Sequence, residues 1–402
     1  MKKITSGIIA GMLAVSMLSA NASAMTDYSI FWDSGGLHIK GRTSGGNANM
    51  GVSITDSSGK PIYANQVKSD ENGSFSFVAN AAYGDDMTVR LSDASTGETI
   101  TENSQSLKSG IEIYPDYPDI IPKNDDFAVT VAQNGIERPL SVYDTGITYT
   151  EDDNTYVRHR RFCEFAFTGD GVTVTVTPKE EYSSYEVIAH GTELPSVKND
   201  DGSISIELDK PRNFIVRLDG DTWFSKDMGK VLCVLADEPH AAPSGSNVIY
   251  KAAGLHEEDI TLTGGQTLYL APGAVVKGKM KVTGTNVKIC GTGMLYDPNE
   301  TNGDGRYMLG VGPSYNTQIQ DVKIVGRSRG NYNITLSGAD NSVIDNVRIL
   351  SCMISDDGIS VFSGSDNLKI KNCFIYNIDD ALVMGGSSRN YPSKTEITGC
   401  LI

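Results

Sequence analysis

The chain of 402 residues carries 50 Asp and Glu against 34 Lys and Arg, a formal net charge of −16. That balance argues against a nucleic-acid partner, because phosphate binding needs clustered cations. A hydrophobic fraction of 39% with 42 glycines argues against a disordered chain and a bundle of membrane spans, and the length implies two or three domains.

Residues 1–24 read as an export signal. Lys2 and Lys3 precede an apolar run from Ile8 to Leu18 that is too short to span a bilayer. Ala22-Ser23-Ala24 then offers small residues for cleavage. No later run is apolar enough for an anchor, so the mature chain is expected to be secreted and monomeric, with no membrane span.

From 25 to 108 the chain alternates apolar and polar residues in short runs such as Leu37-His38-Ile39, Val52-Ser53-Ile54 and Ser74-Phe75-Ser76-Phe77. Turn signals separate them, as at Asp70-Glu71-Asn72-Gly73, and the pattern fits an Ig-like β-sandwich. Proline-rich Tyr114-Pro115-Asp116-Tyr117-Pro118 marks a boundary. A second sandwich is expected over 109–243, with strands at Val172–Val176, Ile204–Ile206 and Ile215–Leu218. Within it, Trp223 reads as core or interface. The basic run Arg158-His159-Arg160-Arg161 reads as a solvated edge.

A different texture occupies 244–402. Ile319, Ile344, Ile370 and Ile397 anchor similar strand-like segments spaced 25, 26 and 27 residues apart. A period in the twenties, built of strands with Asn- or Gly-rich corners, is the signature of a solenoid. No leucine-repeat consensus is present, so a right-handed parallel β-helix is expected, and the fold class is all-β. Cys373 and Cys400 follow their isoleucines by three residues, where the earlier segments have Val322 and Val347. They therefore read as buried thiols, although a disulfide between stacked coils is geometrically conceivable. The other four cysteines show no zinc-ligand spacing.

Two acidic pairs, Asp356-Asp357 and Asp379-Asp380, lie about one coil apart. Stacking would gather their carboxylates on one face, where like charges keep at least one protonated. An acid beside an ionised base is what glycosidic hydrolysis requires. Asp-Asp and Asp-Gly are also ordinary turn residues. Two pairs in register outweigh that plainer reading.

Thr267-Leu-Tyr-Leu-Ala-Pro-Gly-Ala-Val-Val-Lys-Gly278 and Ile289-Cys-Gly-Thr-Gly-Met-Leu295 resemble the opening coils of polygalacturonase-like glycoside hydrolases of family 28. Ser355-Asp356-Asp357-Gly358-Ile359 and Ile378-Asp379-Asp380-Ala381 resemble that family's Asn-Thr-Asp-Gly and Asp-Asp motifs. The order of sandwich and β-helix also resembles the dextranase and isopullulanase family 49. The resemblance spans about residues 110 to 402.

It implies a secreted, inverting glycoside hydrolase acting on a polysaccharide, pectic by the acid spacing or an α-glucan by the domain order, with no metal and no cofactor. Asp379 would be the general acid, and Asp357 and Asp380 would hold and deprotonate water. Ser355-Asp356 replaces Asn-Thr, which leaves Asp356 as a stand-in substrate contact, and Arg389 is a second candidate contact. The family's Gly-His-Gly and Arg-Ile-Lys would fall beyond Ile402, so the chain is expected to be a fragment with little or no activity. Two other readings stay open: a calcium-dependent polysaccharide lyase, and a glycan-binding or spacer protein without catalysis.

Overall fold

A computed structural model describes residues 25–402 apart from 34–35, 57–58, 80–87, 95–98, 104–109, 134–135, 152, 170, 191, 222–229, 298–306, 327–331, 353–355, 363 and 386–391. The expected export signal, Trp223 and Arg389 lie outside the described residues. Among the described residues every regular element is a strand.

The C-terminal unit is a parallel β-helix. Its strands stack into three ladders, each coil supplying one strand to each in turn. The first face runs from Val248–Lys251 to Glu396–Thr398, the second from Gly254–Glu257 to Phe374–Tyr376, and the third from Ile260–Leu262 to Leu382–Met384. The recurring isoleucines are one column of this stack, since Ile319 pairs with Ile344, Ile344 with Ile370 and Ile370 with Ile397. With Leu268 and Ile289 below them and columns from the other faces, Ile319, Ile344 and Ile370 fill a continuous apolar interior, whereas Ile397 on the last coil is 42% exposed. Each fully buried Leu or Ile contributes about 1.5–3 kcal/mol. Cys373 is part of that interior and Cys400 is half-buried against it, both as free thiols.

The corners explain the asparagines. Asn286, Asn316, Asn341 and Asn367 precede successive first-face strands with φ between 51° and 57°. Asp321, Asn346 and Asn372 follow those strands with φ of 66°, 53° and 56°. Short polar side chains tolerate this left-handed conformation, and here they also bond from coil to coil. Asn316 Nδ2 donates to Asn286 Oδ1 at 2.6 Å, and Asn346 Nδ2 to Asp321 Oδ1 at 2.9 Å.

Upstream, two sheets face each other. One contains Phe127–Gln133, Val172–Pro178 and Ile204–Leu208; the other contains Arg161–Phe167, Val231–Asp237, Phe214–Leu218 and Tyr185–Ala189. Val131, Val174, Ile206, Phe165, Val216 and Val234 belong to the apolar cluster between them. The first sheet does not stop at the expected boundary near residue 108. Met25–Asp33, Gly36–Thr43 and Ser74–Ala79 extend it through one parallel pairing, Trp32 with Ile136.

The second sheet packs its other side on the β-helix. Arg161–Phe167 and Val231–Asp237 are buried at every residue, because alternate side chains point into two different interiors. Phe162, Cys233 and Leu235 meet Val275, Met294, Val325, Leu350 and Phe374 of the helix's second face. Two buried ion pairs cross this seam. Lys323 Nζ lies 2.6 Å from Glu164, with side-chain exposures of 1% and 4%. Arg348 binds Asp237, at 1% and 2%. The basic run read as a solvated edge is therefore partly interior: Arg160 and Arg161 are 1% and 4% exposed.

Candidate active site

The acidic pairs occupy the corner between the second and third faces. Asp356 and Asp357 lie before the strand Ile359–Phe362, and Asp379 and Asp380 before Leu382–Met384. Ile359 pairs with Leu382, so counting back along the register sets Asp357 against Asp380 and Asp356 against Asp379. The backbone closes the same stack, with Gly358 N donating to Asp380 O and Ile359 N to Ala381 O, both at 2.9 Å. A Cβ on Gly358 would lie 2.4 Å from Ala381 O, so the glycine serves close approach of two coils and not turn geometry alone.

Three of the four acids converge. Asp357, Asp379 and Asp380 each bring a carboxylate oxygen within 4.8 Å of the other two. Asp379 and Asp380 are exposed and Asp357 is partly so. These oxygens are also the ligand set with which the chain could hold a cation. Partial burial raises the Asp357 pKa, the charge of Asp379 adds to it, and Asp380 adds less. The Ser360 hydroxyl, donating to Asp357 Oδ2 at 3.3 Å, opposes the rise.

Asp356 goes elsewhere. In place of the substrate contact suggested by the sequence, its side chain is 0% exposed. Asn333 Nδ2 donates to its Oδ1 at 2.9 Å, and the Ser351 hydroxyl donates to its Oδ2. Gly326 makes room, since a Cβ there would stand 2.6 Å from both Asn333 Oδ1 and Asp356 Oδ2. Burial pushes Asp356 well above the usual carboxylate range, and Asp297, Asp357 and Asp379 push the same way against the Ser351 hydroxyl.

That raised value has a stability consequence with a definite sign. The folded chain keeps a proton on Asp356 at pH values where the unfolded chain releases it, at about pH 4. The folded state therefore binds more protons, and stability falls as pH rises through the folded value. Asp356→Asn copies the neutral acid. It is expected to flatten the fall in urea midpoint as pH rises above about pH 4. An unchanged slope would show that Asp356 holds no such proton.

Side chains that the motifs do not reveal tie the acids together. Asn333 donates its backbone N–H and its Nδ2 to Asp357 O, each at 2.9 Å. Asn377 Nδ2 donates to Asp356 O at 3.2 Å and to Asp380 O at 3.1 Å, bridging the two coils. Asp379 Oδ1 accepts from Asp380 N at 3.0 Å. Asn377 stands two residues before Asp379, and a closer search around the motif would have found it. Asn333 and Gly326 become visible only when the coils are laid in register.

No protein-family model and no curated protein matches the sequence. Similar solved structures include a provisionally assigned glycosyl hydrolase from Parabacteroides merdae, 13% identical, with a TM-score of 0.30 over 38% of this chain and 82% of that one. A family 28 exopolygalacturonase from Yersinia enterocolitica is 10% identical, with a TM-score of 0.31 over 57% of this chain and 66% of that one. A tandem-repeat segment from the extending region of a large adhesion protein is 14% identical, with a TM-score of 0.16 over 54% and 73%. All three likenesses are loose. The β-helix stands on the chain's own ladders.

Proposed function

We propose that the chain is a glycoside hydrolase that cleaves a pectic polysaccharide with inversion. The observation that carries this reading is the convergence of Asp357, Asp379 and Asp380 at one corner of adjacent coils. Asp379 is the general acid that protonates the leaving glycosidic oxygen. Asp357 and Asp380 hold the attacking water and take its proton, and the pKa of Asp357 is raised by its partial burial first and then by the neighbouring negative charges. Asp356 acts as a neutral strut beneath them. The apolar run from Ile8 to Leu18 followed by Ala22-Ser23-Ala24 supports export to reach such a polymer.

The short separation favours a second reading. Inverting pairs typically stand about 6.5–9.5 Å apart to admit water between them, and retaining pairs about 5–5.5 Å. In the inverting reading the water sits in front of Asp357 and Asp380, on their exposed side. Proton NMR of the first-formed product on polygalacturonate, with dextran in parallel, separates the two. The α-linked polymer is expected to give the β-anomer first. An initial α-anomer would establish retention. Unsaturated products lost on chelation would replace hydrolysis by a cation-dependent lyase.

A further inference from the structure

The upstream unit reaches into this corner through Arg160. The residue is 1% exposed and follows the strand Asn154–Arg158. Its backbone N–H donates to Asp144 Oδ1 at 2.9 Å, its carbonyl accepts from Thr145 N at 3.1 Å, and its Nη1 donates to His159 O at 3.1 Å. So anchored, its Nε donates to Ser351 O at 2.7 Å, and its guanidinium carbon lies 4.2 Å from the centre of the Tyr376 ring. Ser351 leads into the coil of Asp356 and Asp357, and Tyr376 into that of Asp379 and Asp380.

Each end of this clasp is one step from the acids. The Ser351 hydroxyl donates to Asp356, and its N–H donates to Tyr376 O at 3.1 Å. Asn377, next to Tyr376, bonds Asp356 O and Asp380 O. Beside it, Ile147 packs on Cys352 and Ile378. A buried guanidinium is costly to desolvate, and stability alone would be served as well by an apolar side chain.

We propose that Arg160 is a positioning residue which fixes the coil of Asp357 against that of Asp379 and Asp380, making the upstream unit part of the active site. Its catalytic consequence rests on the hydrolase reading above, whereas the fixing of the two coils does not.

The test compares Arg160→Met and Arg160→Lys in the full chain, by amide hydrogen exchange and by polygalacturonate hydrolysis. Arg160→Met is expected to speed exchange at Gly358 and Ile359 by about tenfold or more while Ile324 keeps its protection. It should lower kcat by about 100-fold with KM within about twofold, the signature of misplaced groups, and Arg160→Lys should recover part of the loss. Unchanged exchange at Gly358 and Ile359, or an unchanged kcat, would overturn the proposal. If Arg160→Met fails to fold, Tyr376→Leu opens the clasp from its other side and must give the same pattern. If the unmodified chain hydrolyses no polysaccharide tried, the hydrolase reading fails, and the exchange data alone decide whether Arg160 fixes the coils.

Discussion

Replacing Asp379 by Asn is expected to slow polygalacturonate hydrolysis by about 10²–10⁴-fold with little change in KM. The amide keeps the shape and the Asp380 N–H contact of the acid, and it cannot deliver a proton to the leaving oxygen. An activated aryl glycoside, whose leaving group needs no proton, should restore turnover to Asp379→Asn and not to Asp380→Asn. The pH profile offers an independent check. With Asp357 raised by its partial burial and then by the charges of Asp379 and Asp380, the acid limb of kcat/KM should lie above that of an ordinary aspartate. Asp380→Asn removes one of those like charges and should move the limb down. Full activity in Asp379→Asn would remove it from the mechanism.

Lys323→Met should destabilise the chain by about 3–5 kcal/mol, read as a lowered denaturant midpoint by far-UV circular dichroism. The Lys323 ammonium, 2.6 Å from Glu164 and also bonded to Thr292 O, is the partner of a carboxylate sealed between the two units. Removing it leaves Glu164 buried without its ammonium partner. Removing both, as Lys323→Met with Glu164→Leu, should come close to the parent, because two desolvation penalties disappear with the attraction. The neighbouring seam pair shows the same physics: burial pushes the Arg348 guanidinium down to about 10. Equal losses in the single and double variants would show that Glu164 tolerates burial alone.

What the sequence discloses is whatever repeats. The column through Ile319, Ile344, Ile370 and Ile397 is a period, and it disclosed the stack that gathers the two acidic pairs; the pairing of Asp357 with Asp380 follows the third-face register of Ile359 with Leu382. Cys373 was legible for the same reason. Choosing which of two adjacent acids turns inward was not, because Asp356 is drawn in by Asn333, Ser351 and the gap at Gly326, which lie on other segments of the chain. The run Arg158-His159-Arg160-Arg161 misled because charge in sequence looks like surface. Its Arg160 finds Ser351 at a separation of 191 residues, beyond any local pattern. The continuation of one sheet from Met25–Asp33 into the second unit was hidden likewise, since a single edge pairing leaves no compositional trace.

The sheet laid over the second face also bears on how the molecule comes apart. A free-standing solenoid couples each coil only to its neighbours, so it can fray from an end, turn by turn. Here one sheet grips an outward row that passes on successive coils from Val275 and Met294 through Lys323 and Arg348 to Phe374 and Leu401. No coil in that row can loosen without opening the shared seam. Denaturation of these coils and of the sheet above them is thereby joined into one cooperative transition, in place of gradual fraying.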